Sequence, residues 1–312
     1  ALPIFCRVRK NEGGRLYSLN YHSVCAAAAD PVEKKPLFHF LPGSQVFSIA
    51  AEGCNFRCNF CQNWQISQAD LADGPDSAGR NISPEMIVQA AVDSGCSAMA
   101  YTYTEPTIFM ELCADCALPA KRASLANIFV SNGYMTRQAL DAACGWLDAV
   151  NIDLKAFTDS FYKRLCGASL EPVLDNISYI GRNTDIWLEL TTLLIPGEND
   201  SEEEIRRMAE FIVSEAGEDV PWHLSRFYPS YQHTGHGPTP SKTMQRAHGI
   251  AKEAGLNYVY TGNLPGSEAE STFCPECGKL LISRSGYTIE RDQVSSNSGR
   301  CPHCSAAIAG VF

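Results

Sequence analysis

From Val46 onward the chain alternates short β-rich apolar runs with amphipathic helical stretches, and no other feature of it restricts the fold as much. The runs predict strands over residues 46–51, 99–103, 127–131, 149–154, 187–194 and 222–226. Helix signals fall between them. Ser83-Pro84-Glu85 reads as an N-cap with Pro at the first helical position, ahead of an apolar stripe of Met86, Val88, Ala91 and Val92. Ser201 and Glu204 form a capping box before Ile205, Met208, Ala209 and Ile212. Leu140, Ala143, Cys144 and Leu147 make a third stripe.

Six strand–helix repeats imply parallel strands joined by right-handed crossovers. Six is fewer than the eight of a closed barrel. The expected fold is α/β, a partial (β/α)6 TIM-like barrel, in preference to a flat doubly wound sheet. In either architecture, chemistry gathers at the carboxyl ends of the strands. Three regions are expected: a weakly periodic N-terminal segment over 1–45, the barrel over 46–265, and a small Gly- and Ser-rich domain over 270–312.

Lys and Arg number 25 against 35 Asp and Glu, a formal net charge of −10. Basic residues cluster only in pairs, Lys34-Lys35 and Arg206-Arg207, so nucleic acid is not an expected partner. A small molecule or a protein segment suits the charge better. No run reaches the ~18 apolar residues of a membrane helix, and the first residues lack the features of an export signal. A cytoplasmic location is expected.

The chain has 14 cysteines. In a reducing compartment, cysteines at fixed short spacing point to metal and not to disulfides. Just after the first predicted strand, Cys54, Cys58 and Cys61 lie at C-x3-C-x2-C. Such a loop can wrap an iron–sulfur cube, whose usual ligands are thiolates. Only three are local, so the fourth iron is left open to a cofactor or substrate. The competing readings are a structural site completed by a distant fourth cysteine, and core cysteines spaced by chance.

This loop, with Phe60 one residue before its last cysteine, resembles the signature of the radical S-adenosylmethionine (SAM) superfamily. The resemblance implies a partial barrel, a 4Fe-4S cluster on Cys54, Cys58 and Cys61, and SAM chelating the open iron with Phe60 near its adenine. It also implies reductive cleavage of SAM to a 5′-deoxyadenosyl radical for hydrogen abstraction. Other positions match in strand order. Tyr103-Thr104-Glu105 stands where the family has a glycine-rich segment, with only the Glu retained. Ser131-Asn132-Gly133 is similar to a "TNG" segment, and Asp153-Leu154-Lys155 to a "DLK" segment, of glycyl-radical activating enzymes. The latter implies Asp153 on the ribose and Lys155 on the SAM carboxylate, a sensible charge pairing. Leu194-Ile195-Pro196-Gly197 is similar to their "PG" turn, and His223 stands where they place a ribose-contacting His. The Phe38–Ser44 stretch, the cysteine loop, residues 62–67 and 101–107, and the end domain together resemble the radical SAM proteins of the AmmeMemoRadiSam system, relatives of pyruvate formate-lyase activating enzyme. The resemblance implies an electron donor of flavodoxin or ferredoxin type. It leaves open the substrate, protein or small molecule, and the role of Cys6.

Cys274-x2-Cys277 and Cys301-x2-Cys304 are two knuckles that can close one tetrahedral four-thiolate site. Zinc is the favoured occupant, because a short loop-rich ribbon needs a metal to fold. Mononuclear iron, a one-electron site, is the alternative. Cys113 and Cys116, on a predicted helix over 109–118, read as core packing, as do Cys96, Cys144 and Cys166. The functional alternative to a radical enzyme is a non-catalytic zinc-ribbon adaptor with the barrel as scaffold.

Overall fold

The computed structural model describes residues 8–69, 82–264 and 266–312; Cys6 lies outside them. A hairpin of β1 (Arg9–Glu12) and β2 (Arg15–Ser18) precedes β3 (Val24–Pro31). The α/β region then runs β4 (Gln45–Ala51), α1 (Trp64–Ser67), α2 (Pro84–Asp93), β5 (Ala98–Tyr101), α3 (Met110–Arg122), β6 (Ala126–Ser131), α4 (Arg137–Cys144) and β7 (Ala149–Asp153). It continues α5 (Asp159–Phe161), α6 (Glu171–Asn183), β8 (Trp187–Leu194), α7 (Glu202–Glu215), β9 (Trp222–Arg226), α8 (Ser241–Glu253) and β10 (Val259–Gly262). A second sheet holds β11 (Thr272–Phe273), β12 (Leu280–Ser285) and β13 (Thr288–Asp292).

β4 to β10 are parallel and lie side by side in chain order; β3 pairs antiparallel to β4 at one edge. With no reversal of order, right-handed crossovers put every connecting helix on one face. A doubly wound sheet needs that reversal, so the sheet curls as an open barrel. The six predicted strands are present. β10 adds a seventh parallel strand, and β3 brings part of the 1–45 segment into the sheet.

Strand pleating sorts the core. Tyr101, Phe129, Val150 and Ile152 face the helices and pack with Leu112, Leu140 and Val173. The alternate positions Val46, Ala98, Ala100, Ile128 and Ala149 point inward, where Val32, Leu37 and Phe40 plug the amino-terminal end. The helix caps form as predicted: Ser83 Oγ accepts from Met86 N at 3.3 Å and Ser201 Oγ from Glu204 N at 3.2 Å. The Glu204 carboxylate is used elsewhere, accepting from Phe157 N at 2.7 Å in the loop after β7.

Between plug and upper barrel lies a buried polar layer. Glu189 accepts from Phe38 N (2.9 Å), His39 N (2.8 Å), Trp187 Nε1 (3.0 Å) and His223 Nε2 (2.7 Å). Arg284 reaches in from β12, donating to Phe38 O and Thr272 Oγ1, each at 2.8 Å. The second sheet is thus tied to the barrel base by charged groups, and leaving one unpaired there is costly.

Candidate functional site

A cavity of about 390 Å³ opens at the carboxyl ends of β4 to β9. Its wall includes Cys54, Cys58, Cys61, Phe60, Tyr103, Thr104, Glu105, Ser131, Asn132, Asp153 and Lys155. The fold brings eleven of the twelve predicted cluster- and SAM-site positions, drawn from four strand ends, to one space.

Gly53, at φ 98°, turns the chain out of β4 into the cysteine loop, a left-handed conformation that favours Gly. The loop closes when Gly53 N donates to Ile66 O at 2.9 Å. Its other backbone groups are taken by neighbouring loops. Arg57 N donates to Cys166 O (2.8 Å), Asn59 N to Leu165 O (3.0 Å), and Asn59 O accepts from Gln232 N (2.9 Å). Asn55 Oδ1 accepts from Asn132 Nδ2 at 2.7 Å, and Asn63 Nδ2 donates to Tyr103 O at 2.8 Å. The loop is therefore held from several strand ends, as a fixed ligand frame requires.

The three sulfurs of this loop are not all within 4.8 Å of one another, whereas those of Cys274, Cys277, Cys301 and Cys304 are. In the second group Cys274 Sγ and Cys304 Sγ are 3.6 Å apart and Cys277 Sγ and Cys301 Sγ 3.7 Å. Four sulfurs ~2.3 Å from a tetrahedral metal stand about 3.8 Å apart, so this group fits a single ion. Glu198, His233 and His236 also approach within 4.8 Å. The two rings stack in parallel at 5.0 Å, and Arg164 already pairs with the Glu198 carboxylate.

The loop thiols differ electrostatically. Burial pushes Cys54 and Cys61 up. Cys58 is held low, first by a hydrogen bond from the Cys166 thiol and also by Lys155, against burial. Cys166 was assigned to the core by sequence; it is buried, but against the cysteine loop. Lys155 Nζ pairs with Asp153 Oδ2 at 2.9 Å and stands 6.0 Å from the Phe60 ring. Burial opposes the Lys155 charge, but Asp153 and the nearby thiols hold its ammonium firmly protonated.

Glu105 is buried and its carboxylate is occupied by the chain's own donors. It accepts from Ser131 Oγ (2.9 Å), Asn132 N (2.8 Å) and Thr107 N (3.2 Å). It clamps the ends of β5 and β6 together, while burial raises its carboxyl.

His223 is the exception. It is absent from the cavity wall, and its ring lies in the polar layer beneath, bonded to Glu189 and stacked on Tyr260 at 5.2 Å. Ser225, two residues on and on the same face of β9, is what reaches the cavity. The expected ribose contact by His223 is therefore corrected: it sits one inward position too deep.

Sequence reasoning missed the cavity's far end. Lys35 is 1% exposed and pairs with Asp30 at 2.7 Å; Lys34 pairs with the same carboxylate at 2.6 Å. Tyr103, at φ 64°, donates its hydroxyl to Asp30. Tyr287, from the turn between β12 and β13, joins this wall. Only the adjacency of Lys34 and Lys35 was visible beforehand.

The arrangement is an α/β barrel carrying a thiol-rich loop over an interior cavity. The model of the radical SAM superfamily matches residues 48–211, just over half the chain. This protein belongs to that superfamily and is a radical SAM enzyme; iron–sulfur and SAM binding come with the membership. It is 43% identical over 304 residues to uncharacterized protein MJ0808 of Methanocaldococcus jannaschii, covering 97% of this chain and 89% of that one. It is 26% identical over 224 residues to a putative glycyl-radical enzyme activating enzyme, MJ1632, of the same organism, covering 69% and 79%. In fold it is similar to Streptococcus suis SuiB bound to S-adenosylmethionine, with a TM-score of 0.54, 11% identity, and coverage of 74% of this chain and 53% of that one. Among the described residues no helix is long and apolar enough to cross a membrane.

Proposed function

We propose that this chain is an activating-enzyme-like radical SAM oxidoreductase. Cys54, Cys58 and Cys61 hold a 4Fe-4S cluster. SAM lies in the cavity against Phe60, Tyr103, Thr104, Ser131, Asn132, Asp153 and Lys155, with Glu105 bracing that wall. When bound, the cluster supplies one electron for cleavage of SAM to methionine and a 5′-deoxyadenosyl radical, which takes hydrogen from the substrate. The carrying observation is the convergence of three thiols, an aromatic and an Asp–Lys pair on one cavity.

The chain's residues prepare this chemistry. Lys155 offers a protonated ammonium to a carboxylate, and Asp153 offers an acceptor to hydroxyls. The buried rings of Phe56 and Phe60 keep water from the thiols. The C-terminal cysteines hold zinc, and the electron comes from a flavodoxin- or ferredoxin-type donor. The comparisons give no support to a non-catalytic adaptor.

Anaerobic reconstitution tests the proposal. Four irons at the loop are expected beside the C-terminal metal, with a reduced-cluster paramagnetic signal that SAM perturbs. Replacing Cys54, Cys58 and Cys61 together by Ala should abolish that signal and leave the C-terminal metal in place. A wild-type chain whose loop takes up zinc, or whose signal ignores SAM, refutes it. Deuterium transfer from cell extract into 5′-deoxyadenosine would then locate the substrate.

A further inference from the structure

The far end of the cavity carries more positive charge than its partners balance. Lys34 and Lys35 line it; Asp30 does not, and stands behind them. Among the described residues Asp30 is the one carboxylate that either ammonium meets. Ser48 Oγ, at 2.9 Å, and the Tyr103 hydroxyl donate to the same group. Burial opposes the Asp30 charge, but Lys34, Lys35 and Tyr103 hold its carboxyl well below the ordinary range, so it is an anion. The Glu33 carboxylate is taken up elsewhere, accepting from Gly43 N at 2.8 Å beside Arg284 at 4.0 Å. Two ammoniums against one carboxylate leave one positive charge on this wall, in a chain whose net charge is −10.

The donors there are also incompletely used. An ammonium has three N–H bonds. Lys35 meets one oxygen of Asp30 and the face of the Tyr103 ring, 4.6 Å from its centroid. Lys34 meets the other oxygen, and its side chain is 42% exposed. Two neighbouring residues of the wall, Asn151 and Thr191, each keep a side-chain oxygen with no hydrogen-bond partner among the described residues. The Asn151 amide is oriented by its Nδ2, which donates to Pro36 O at 2.8 Å, so its oxygen is the atom left over. Buried polar groups are nearly always paired, and a bound molecule with its own acid and hydroxyl or amine groups would complete this set.

Position separates this end from the SAM side. Asp153 and Lys155 stand at the end of β7, in the middle of the sheet, whereas Lys34 and Lys35 follow β3, its edge strand. Asn151 lies two residues below Asp153, ~6.6 Å along the strand. Tyr287 is half exposed and comes from the second sheet, so the mouth is bordered by both sheets.

Resting on the reading of this cavity as the SAM site, we propose that its far end binds the substrate, a small molecule whose carboxylate or phosphate is taken by Lys34 and Lys35. A small acid suits the site because Lys35 is buried, and a group that reaches it must lie inside the barrel. Lys34 supplies charge at the mouth, where a local positive field gathers anions. Asp30 keeps Lys35 in place.

The test uses the full chain, reconstituted anaerobically, as wild type, Lys34→Gln and Lys34→Arg. Inorganic phosphate and succinate are the probes, titrated calorimetrically in the presence of SAM at fixed ionic strength; the tighter of the two identifies the group. Wild type is expected to bind one of them at a single site. Lys34→Gln should bind it at least about tenfold more weakly, as loss of a bond from a charged donor implies, and Lys34→Arg should keep most of the affinity. In Lys34→Gln, SAM should still perturb the reduced-cluster signal. With deuterated cell extract split by size, label should reach 5′-deoxyadenosine from the low-mass fraction, and not once that fraction has passed an anion exchanger. Wild type that binds neither probe, or Lys34→Gln that binds as wild type does, overturns the inference. Label arriving from the protein fraction alone makes the substrate a protein and also overturns it. A Lys34→Gln signal that SAM no longer perturbs assigns this end to SAM, and overturns this inference alone. A wild-type chain that assembles no cluster, or whose signal ignores SAM, refutes the underlying reading, and this one with it.

Discussion

Acidification from about pH 7 to about pH 4 probes the buried polar layer through His39. Its ring is fully buried, with Nδ1 2.6 Å from Ala309 O and Nε2 2.6 Å from Tyr260 Oη. A neutral imidazole satisfies both, donating at Nδ1 and accepting from Tyr260 at Nε2. A second proton would place a cation in the interior. Burial, above all, holds the group down at about 4; Arg284 and His223 act in the same direction, and Glu189 opposes them. In the unfolded chain the ordinary value of ~6.5 applies. Between these values the unfolded state binds a proton that the native state does not, so stability rises with pH. The contribution is complete above ~6.5 and is lost as pH falls toward the folded value. At ~1.4 kcal/mol per pH unit, the window from 6.5 to about 4 amounts to roughly 3 kcal/mol. Urea unfolding of the wild type and of His39→Asn across that window isolates the effect, because other titrating groups contribute to both curves. The wild type should lose about 3 kcal/mol more than the variant. Parallel curves would refute the reasoning, and would mean that the layer takes up the proton without cost.

Two further changes test other parts of the molecule. Asp30→Asn removes the counter-charge of Lys35, whose side chain is 2% exposed; a loss of ~3–5 kcal/mol is expected in chemical unfolding, and a loss below ~1 kcal/mol would contradict the pairing. Cys301→Ser should release one metal equivalent and strip hydrogen-exchange protection from β11–β13, while iron at the Cys54 loop is retained. Equal protection in the variant would show that the ribbon folds without its metal.

Much of the barrel was legible because its information is local. A strand buried on both faces reads as a continuous apolar run, and a helix announces itself by caps and a stripe; Trp187–Leu194 and Trp222–Arg226 appear as predicted. β3 escaped because Val24–Pro31 is half Ala, which carries little β signal, and its pairing with β4 is what makes it a strand. β10, Val259–Gly262, was not read from the sequence; its parallel pairing with β9 is what makes it a strand.

The site divides along the same line. Cys54, Cys58, Cys61 and Phe60 are close in sequence, and spacing along one loop sets what they can surround. The same holds for each knuckle of the C-terminal group. Depth and partnership are different quantities, because they depend on register between strands and on segments far apart in the chain. His223 lies on the inward face of β9, but only the pairing of Thr191 with His223 shows that it stands beneath the cavity beside Glu189. Cys166 became a neighbour of Cys58 through a turn after β7 that no short-range pattern announces. Lys35, visible in the sequence only as half of a basic pair, is a buried partner of Asp30, brought back to it by the tight helical turn Val32–Lys34 that follows β3. Local chemistry was written in the order of residues; which groups share a wall, and at what level, was decided by the closing of the sheet.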